Sequence, residues 1–263
     1  MAAIRTHTTS TRRVRVALVG AGVAVAALAL SGCGGADAGG APVENRSFPF
    51  SAKTLTIDSD NSDLVVESAD VKDVQVTRQV DGWVFVGKGP DAVWKLEDGK
   101  LTVRVKCDAL VSDCQSRHTV KVPRGVAVTV DDDNGSVTAS GFDAALKIRS
   151  DNGDVTVRDS SGPLDLNSEN GEILTERVTA KTVTARADNG SVRLLLAAAP
   201  HLVDTVSDNG DVVIELPRAG GPYAVTATSD NGDVDLDVPT DKSSTHVVRA
   251  RSDNGEVTVR SAN

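Results

Sequence analysis

The sequence predicts an all-β protein built as a parallel β-solenoid, a stack of two-strand coils, and three observations carry that prediction. Asn-Gly pairs recur at Asn134-Gly135, Asn152-Gly153, Asn170-Gly171, Asn189-Gly190, Asn209-Gly210, Asn231-Gly232 and Asn254-Gly255, with successive glycines 18, 18, 19, 20, 22 and 23 residues apart. Periods near 20 residues mark repeat architectures. Apolar residues hold fixed places around each pair: Val137, Val155, Ile173, Val192, Val212, Val234 and Val257 stand two after the glycine, and Val128, Leu146, Leu164, Val183, Val203, Val225 and Val248 seven before it. The residues between them are mostly Arg, Lys, Asp, Thr and Asn, so apolar and polar positions alternate with the period of a half-buried strand. Finally, β-branched Val and Thr dominate the repeats and helix signals are nearly absent.

An antiparallel meander or sandwich is the alternative, because Asn-Gly is also the strongest short hairpin signal. About fourteen such strands would need a separate cover, or would close into a barrel too wide for Val and Ala to fill. In a solenoid the two strands of each repeat lie on opposite walls, and small aliphatic columns meet across a narrow core.

The chain opens with a segment that is not part of this fold. Arg5, Arg12, Arg13 and Arg15 precede an apolar run from Val16 to Leu30, and no acidic residue occurs before Asp37. The run is short of the ~20 residues of a membrane span and fits an export signal over residues 1–32. It ends in "LSGC", which resembles the bacterial lipobox. That resemblance implies cleavage before Cys33 and a diacylglyceryl group on its sulfur, anchoring the chain to the outer face of the cell membrane. "TRRVRV" also resembles a twin-arginine signal, although a basic start needs no such reading. Residues 33–50 follow as the lipidated cysteine and a Gly-, Ala- and Pro-rich flexible tether.

Residues 51–130 do not keep the repeat. Strand-like runs such as "LVVES", "VQVTRQV" and "KLTVRVKC" alternate with turn segments, and "DSDNSDLVV" is an imperfect copy with Ser62 in place of glycine. Terminal repeats are usually atypical because they cover an exposed core end. This region therefore reads as an N-terminal β cap, with Trp83, Phe85 and Trp94 packing in it or offering an aromatic platform to a sugar. Cys107 and Cys114 are the only cysteines besides Cys33. In an exported protein they read as a disulfide within "CDALVSDC".

Residues 131–263 form the repeat region. Asn and Gly tolerate positive φ and so bend a strand at little steric cost, and the preceding Asp accepts from turn N–H groups. Stacked coils would align the asparagines as an amide ladder. They would also align carboxylates, with Asp133, Asp151, Glu169, Asp188, Asp208, Asp230 and Asp253 in one column and Asp154, Glu172, Asp211, Asp233 and Glu256 in a second. Calcium between the rows would relieve their repulsion. The simpler reading is a set of turn residues screened by water and by arginines such as Arg149, Arg186 and Arg251, and no cofactor or metal is expected.

"VKVPRG", Val120 to Gly125, followed by serial "DNGDV"-like turns, resembles the large bacterial family labelled "putative adhesin", a β-strand-repeat domain of unknown function. The resemblance covers roughly residues 54–260. It implies a β-solenoid-like domain at the cell surface and brings no catalytic residues.

Composition bounds the function further. Removing residues 1–32 leaves 24 basic side chains against 37 acidic ones, a net charge of −13. That disfavours nucleic acid as a partner. There is no nucleophile elbow, paired-histidine metal motif or phosphate-binding glycine loop. His118, His201 and His246 are far apart in sequence and read as surface residues. The expectation is a membrane-anchored lipoprotein acting as a structural or adhesin-like module toward an envelope protein or glycan, not an enzyme. Its alternatives are a sensor of envelope stress, cations or cationic peptides, and a polysaccharide-active enzyme using two of the many carboxylates. Nothing in the residues sets the oligomeric state.

Overall fold

The computed structural model describes residues 37–84, 87–109 and 112–262. The expected signal segment, Cys33 and Phe85 lie outside the described residues. The compact unit that begins at Gly35 has its own core. Its first seven strands are β1 (Glu44–Phe48), β2 (Thr54–Asp60), β3 (Asp63–Ala69), β4 (Val74–Val84), β5 (Gly87–Glu97), β6 (Lys100–Ala109) and β7 (Ser112–Pro123). The repeats add β8 (Ala127–Asn134), β9 (Val137–Ser140), β10 (Leu146–Asn152), β11 (Val155–Arg158), β12 (Leu164–Asn170), β13 (Ile173–Val178), β14 (Thr182–Asn189), β15 (Val192–Leu196), β16 (Leu202–Asn209) and β17 (Val212–Leu216). The chain ends with β18 (Ala224–Ser229), β19 (Val234–Asp237), β20 (Val247–Asn254) and β21 (Val257–Ser261).

The strands form two walls. One runs β1-β4-β7-β3-β9-β11-β13-β15-β17-β21-β19 and the other β18-β20-β16-β14-β12-β10-β8-β2-β6-β5. From β7 to β19 in the first wall and from β18 to β6 in the second, every neighbour is parallel. The parallel solenoid is therefore the fold, and the meander is not. The columns of the sequence are the register of the ladders: Leu146 lies between Val128 and Leu164, and Val155 between Val137 and Ile173. Each of these side chains is buried and faces the opposite wall, which is how Val, Leu, Ile and Ala fill the interior.

The order of the coils departs from the order of the chain at both ends. The first coil in sequence, β2–β3, sits between β6–β7 and β8–β9. At the other end the last coil in sequence, β20–β21, inserts between β16–β17 and β18–β19. Stepping over a coil costs one strand spacing of about 4.8 Å outward and the same distance back, which needs extra residues. The 22- and 23-residue spacings after Gly210 supply them, as Pro217–Tyr223 and Val238–His246. Both chain-terminal coils are thus laddered on both sides.

Residues 51–130 are accordingly more than a cap. They contribute two coils of the stack, while β4 and β5 close its end together with β1, which comes from the segment expected to be tether and instead pairs antiparallel with β4.

Candidate functional site

The Asn-Gly corner is one continuous structure along the stack. Each asparagine Nδ2 donates to the Oδ1 of the asparagine in the adjoining coil, from Asn231 to Asn254, Asn209, Asn189, Asn170, Asn152 and Asn134 in turn, at 3.0 to 3.2 Å. Asn134 ends the ladder on Asp60 Oδ1 at 3.3 Å. All the amides point one way, so their dipoles add, and a carboxylate receives the donor end. Several also donate to the backbone carbonyl of an aspartate beside them, as Asn170 does to Asp151 O at 3.1 Å.

The glycines serve a different need from the one the turn chemistry predicts. A Cβ on Gly153 would lie 1.9 Å from Gly135 O, one on Gly171 2.2 Å from Gly153 O, and one on Gly255 2.2 Å from Gly210 O. Backbone packs directly on backbone there, with Gly153 N–H donating to Asn170 O at 3.1 Å. Close approach, more than positive φ, selects glycine at this corner.

Sequence reasoning missed a serine column beside it. Ser168, Ser207, Ser252 and Ser229 point inward three residues before each glycine and donate to Gly153 O, Gly190 O, Gly210 O and Gly255 O at 2.8 to 3.2 Å. Counting by twos from the valine columns reaches these positions, so the signal was present. The second acidic column is also engaged: Asp154 Oδ1 accepts from Glu172 N–H at 2.9 Å, and Asp211 Oδ1 from Glu256 N–H at 2.8 Å. Arg251 bridges Asp230 and Asp253. Among the described residues no three His, Cys, Asp or Glu side chains converge to hold a metal.

Among the described residues, the buried ionisable side chains, Asp58, His118 and Asp132, all lie toward the end of the stack formed by β6 and β7. His118 occupies the valine column, in register with Leu64, and is fully buried. Its Nδ1 is hydrogen-bonded to Ser62 Oγ at 2.6 Å, and its Nε2 has no partner among the described residues. Burial, with Arg78 nearby, holds its pKa down at about 4, so the ring is neutral. The surface position expected for His118 is therefore wrong. Ser62 stands where later coils have glycine, and its neighbour on that side is the atypical β7 corner, where buried Ser116 donates to Asn61 O.

One coil further in, Asp132 takes the serine place and is almost wholly buried. Burial pushes its carboxyl up to about 7, and Asp133, Asp60 and Asp63 add to the rise. Ser59 lies close enough to favour the charged form, yet the pair does not meet hydrogen-bond geometry. At the surface of the same end, burial works against the charge on Asp58, but Lys100 and Arg104 outweigh it and hold that carboxyl low.

A lid covers this end. The Arg78 guanidinium lies 4.0 Å from the Trp94 ring centre, and that of Arg46 lies 4.6 Å from the Phe48 ring and 5.9 Å from Trp94. Arg78 is fixed by Glu44 at 2.7 Å and by donating to Ala92 O at 3.0 Å. The face of Trp94 is thus occupied, and Trp83 is the exposed tryptophan. Cys107 of β6 and Cys114 of β7 are joined, with Cα atoms 6.6 Å apart.

A shallow groove of 610 Å³ lies on the outer face of the β8 wall, crossing the strands from β2 to β16. Thr54, Thr56, Thr129, Thr182 and Thr184 line it with Lys147, Asp165, Arg186 and Asp204, and no aromatic residue does. Lys147 Nζ pairs with Asp165 at 2.7 Å across adjacent coils. Such a strip offers hydroxyls and fixed charges at strand spacing to an extended polar chain.

Residues 48–260 match the family model described as Toastrack DUF4097. No curated protein matches the chain. Among solved structures, a "putative adhesin" from Parabacteroides distasonis is similar at 14% identity and a TM-score of 0.42, over 85% of this chain and 98% of that one. A "putative cell adhesion protein" from Clostridium sporogenes is similar at 10% identity and 0.39, over 84% and 99%. Likeness of that degree carries nothing about binding. The family match spans both walls and both ends of the stack, and the chain belongs to the Toastrack DUF4097 family.

Proposed function

We propose that this protein is an extracytoplasmic lipoprotein, held to the outer face of a cell membrane through Cys33, whose solenoid is a structural or adhesin-like interaction module without catalysis. The groove across the β8 wall carries this reading, because it is an open, continuous track of threonine hydroxyls and charged groups interleaved with small apolar residues such as Ala127, Ala145 and Pro163, rather than an enclosed pocket. An extended glycan or a protein segment of the envelope is the partner it suits. The Ser62–His118 pair does not make a nucleophile, since both residues are buried and the imidazole has no orienting partner on Nε2 among the described residues.

The test is a crosslinking pull-down from intact cells with the wild-type chain and with Thr129→Trp/Thr184→Trp, which fills the groove. A partner captured by the first and lost with the second is expected. Capture unaffected by the filled groove removes the assignment. The anchor is tested separately, by mass spectrometry of Cys33 and by release of Cys33→Ala from the membrane fraction.

A second reading, sensing of cations or cationic peptides, draws on the acidic corner columns and the charge of −13 that remains without residues 1–32. Calorimetry with calcium and with polylysine at low salt decides it, and no heat in either titration ends it.

A further inference from the structure

At every other level of the repeat stack the apolar columns are sealed by a coil on each side, but at the β18–β19 end they are open. Val257 and Val259 of β21 are fully buried, while their register partners Val234 and Leu236 of β19 are 41% and 45% exposed. On the opposite wall Val225 and Ala227 are half-buried, while their partners Val248 and Ala250 in β20 are buried. β18 and β19 each end a sheet, so their outer backbone edges face outward. The loop from Val238 to His246 covers only the far corner, where Tyr223 N–H donates to Pro239 O and Asp241 N–H to Tyr223 O, both at 2.9 Å.

We propose that two copies of this chain dock end to end at this coil, β18 of each pairing antiparallel with β19 of the other. Shape comes first. The two open edges are held apart by the width of the core, and a partner must present two edges at the same separation to pair both at once. The same coil on a second copy has that separation by construction, whereas a single extended peptide would cover one edge and leave the other bare.

Charge then selects the arrangement. The outward residues of β19 are Asp235 and Asp237, and those of β18 are Thr226 and Thr228, with Arg249 and Arg251 one strand behind them. Pairing β19 with β19 would set carboxylates against carboxylates. Pairing β18 with β19 sets them beside threonines, with guanidinium groups in the next strand. The two-fold axis therefore runs along the strands, and Val225 and Ala227 of one copy meet Val234 and Leu236 of the other.

At the other end the sheets finish in a different pair of edges, β1 and β5, and Phe48 with the arginine–tryptophan lid covers the interior, so no second apolar docking face is presented and association stops at two. Asp37, the first described residue, donates its N–H to Asp81 in β4 at 2.8 Å, at that closed end. The paired strands are only 6 and 4 residues long, a small contact by the standard of stable interfaces, so the dimer is weak. This inference stands apart from the groove and from any adhesive role.

The test is sedimentation equilibrium of residues 35–263 from about 10 to about 500 µM, a range that brackets a weak association. The expected result is a mass that doubles across the range in wild type and stays monomeric in Leu236→Lys, at an unchanged melting temperature. A constant monomer mass overturns the proposal, and so does growth beyond a dimer. Should Leu236→Lys unfold, oxidative crosslinking still decides. Thr226→Cys combined with Asp235→Cys is expected to give a covalent dimer that neither single variant gives, since the two positions lie on opposite walls of one copy. Self-crosslinking of Thr226→Cys alone would mean β18 pairs with β18, and the proposed pairing fails.

Discussion

The two ends of this stack solve the same problem in opposite ways. Both must terminate two parallel walls around an apolar interior. At the β6–β7 end the chain turns antiparallel, lays β1, β4 and β5 along the edges, and seals the interior with Phe48, Trp94 and two arginines. At the β18–β19 end it adds only the Val238–His246 loop over one corner, and two apolar side chains of the regular columns stand in solvent. The closed end carries buried ionisable groups in place of valine and serine, while the open end keeps the repeat almost unaltered. The difference teaches that a repeat is cheap to extend but needs special residues to stop. Those special residues cost stability of their own.

The comparison is sharpest along one apolar column. Leu194→Ala, in the sealed interior, is expected to cost about 3 kcal/mol, whereas Leu236→Ala at the open end costs well under 1 kcal/mol in the monomer. Urea titrations of both variants below about 10 µM, where the weak dimer is absent, check this. Equal costs would mean the open end is sealed in solution.

The glycine corner separates the ends next. Gly190→Ala drives a Cβ to within 2.1 Å of Gly171 O in a coil clamped on both sides, for an expected loss of about 2 kcal/mol. Gly232→Ala meets Gly255 O at 2.2 Å, but its coil is free to move outward, so a smaller loss is expected.

The closed end has a pH signature that the open end lacks. Asp132 has a folded pKa of about 7 against an ordinary 3.8. Between those values the native protein holds a proton that the unfolded chain has released, so this group makes stability fall as pH rises. His118 has a folded pKa of about 4 against 6.5. Between those values the unfolded chain holds the proton, so this group makes stability rise with pH. From pH 4 to 6.5 the two slopes, each about 1.4 kcal/mol per pH unit, oppose one another. His118→Leu is expected to leave the falling slope and Asp132→Ser the rising one. The difference between these variants, measured by denaturant at several pH values, removes the background of surface carboxylates common to both.

The smallest expected effect is at the lid. Arg78→Met keeps most of the stem and removes the guanidinium from the Trp94 face, for a loss of about 1 kcal/mol or less, read as a small drop in melting temperature. A loss several times larger would mean that Glu44 and Ala92 O, left without their donor, matter more than the ring.

Much of the fold was legible because a solenoid repeats its physics. Period-two counting around each glycine names the residues of each column, from Val128 to Val248, but not which coil lies next to which, since Val203 pairs with Val248 and not with Val225. It also contained the serine column, which went unread because serine does not look like a core residue. The role of Ser62 and His118 was hidden for a different reason. A buried polar pair is recognised by what lies in the adjoining coil, and Ser62 and His118 are 56 residues apart in the chain. The corner glycines were named correctly for their place but explained by turn geometry, when the deciding contact was with the neighbouring coil's carbonyl oxygen.

By itself the amino-acid order determined that this protein has two half-buried strands per repeat, which residues of each face inward, and that like positions would align. Those follow from alternation and local backbone preference, which act within a few residues. Only the tertiary structure decided the order in which coils stack, that the first and last coils in sequence lie inside the stack, and that one end is lidded and the other bare. The coils present nearly identical edges to one another, so local pattern is indifferent to which neighbour each one takes. The choice rests on connection lengths and on the few side chains, such as Trp94, Arg78 and His118, that fit one end alone.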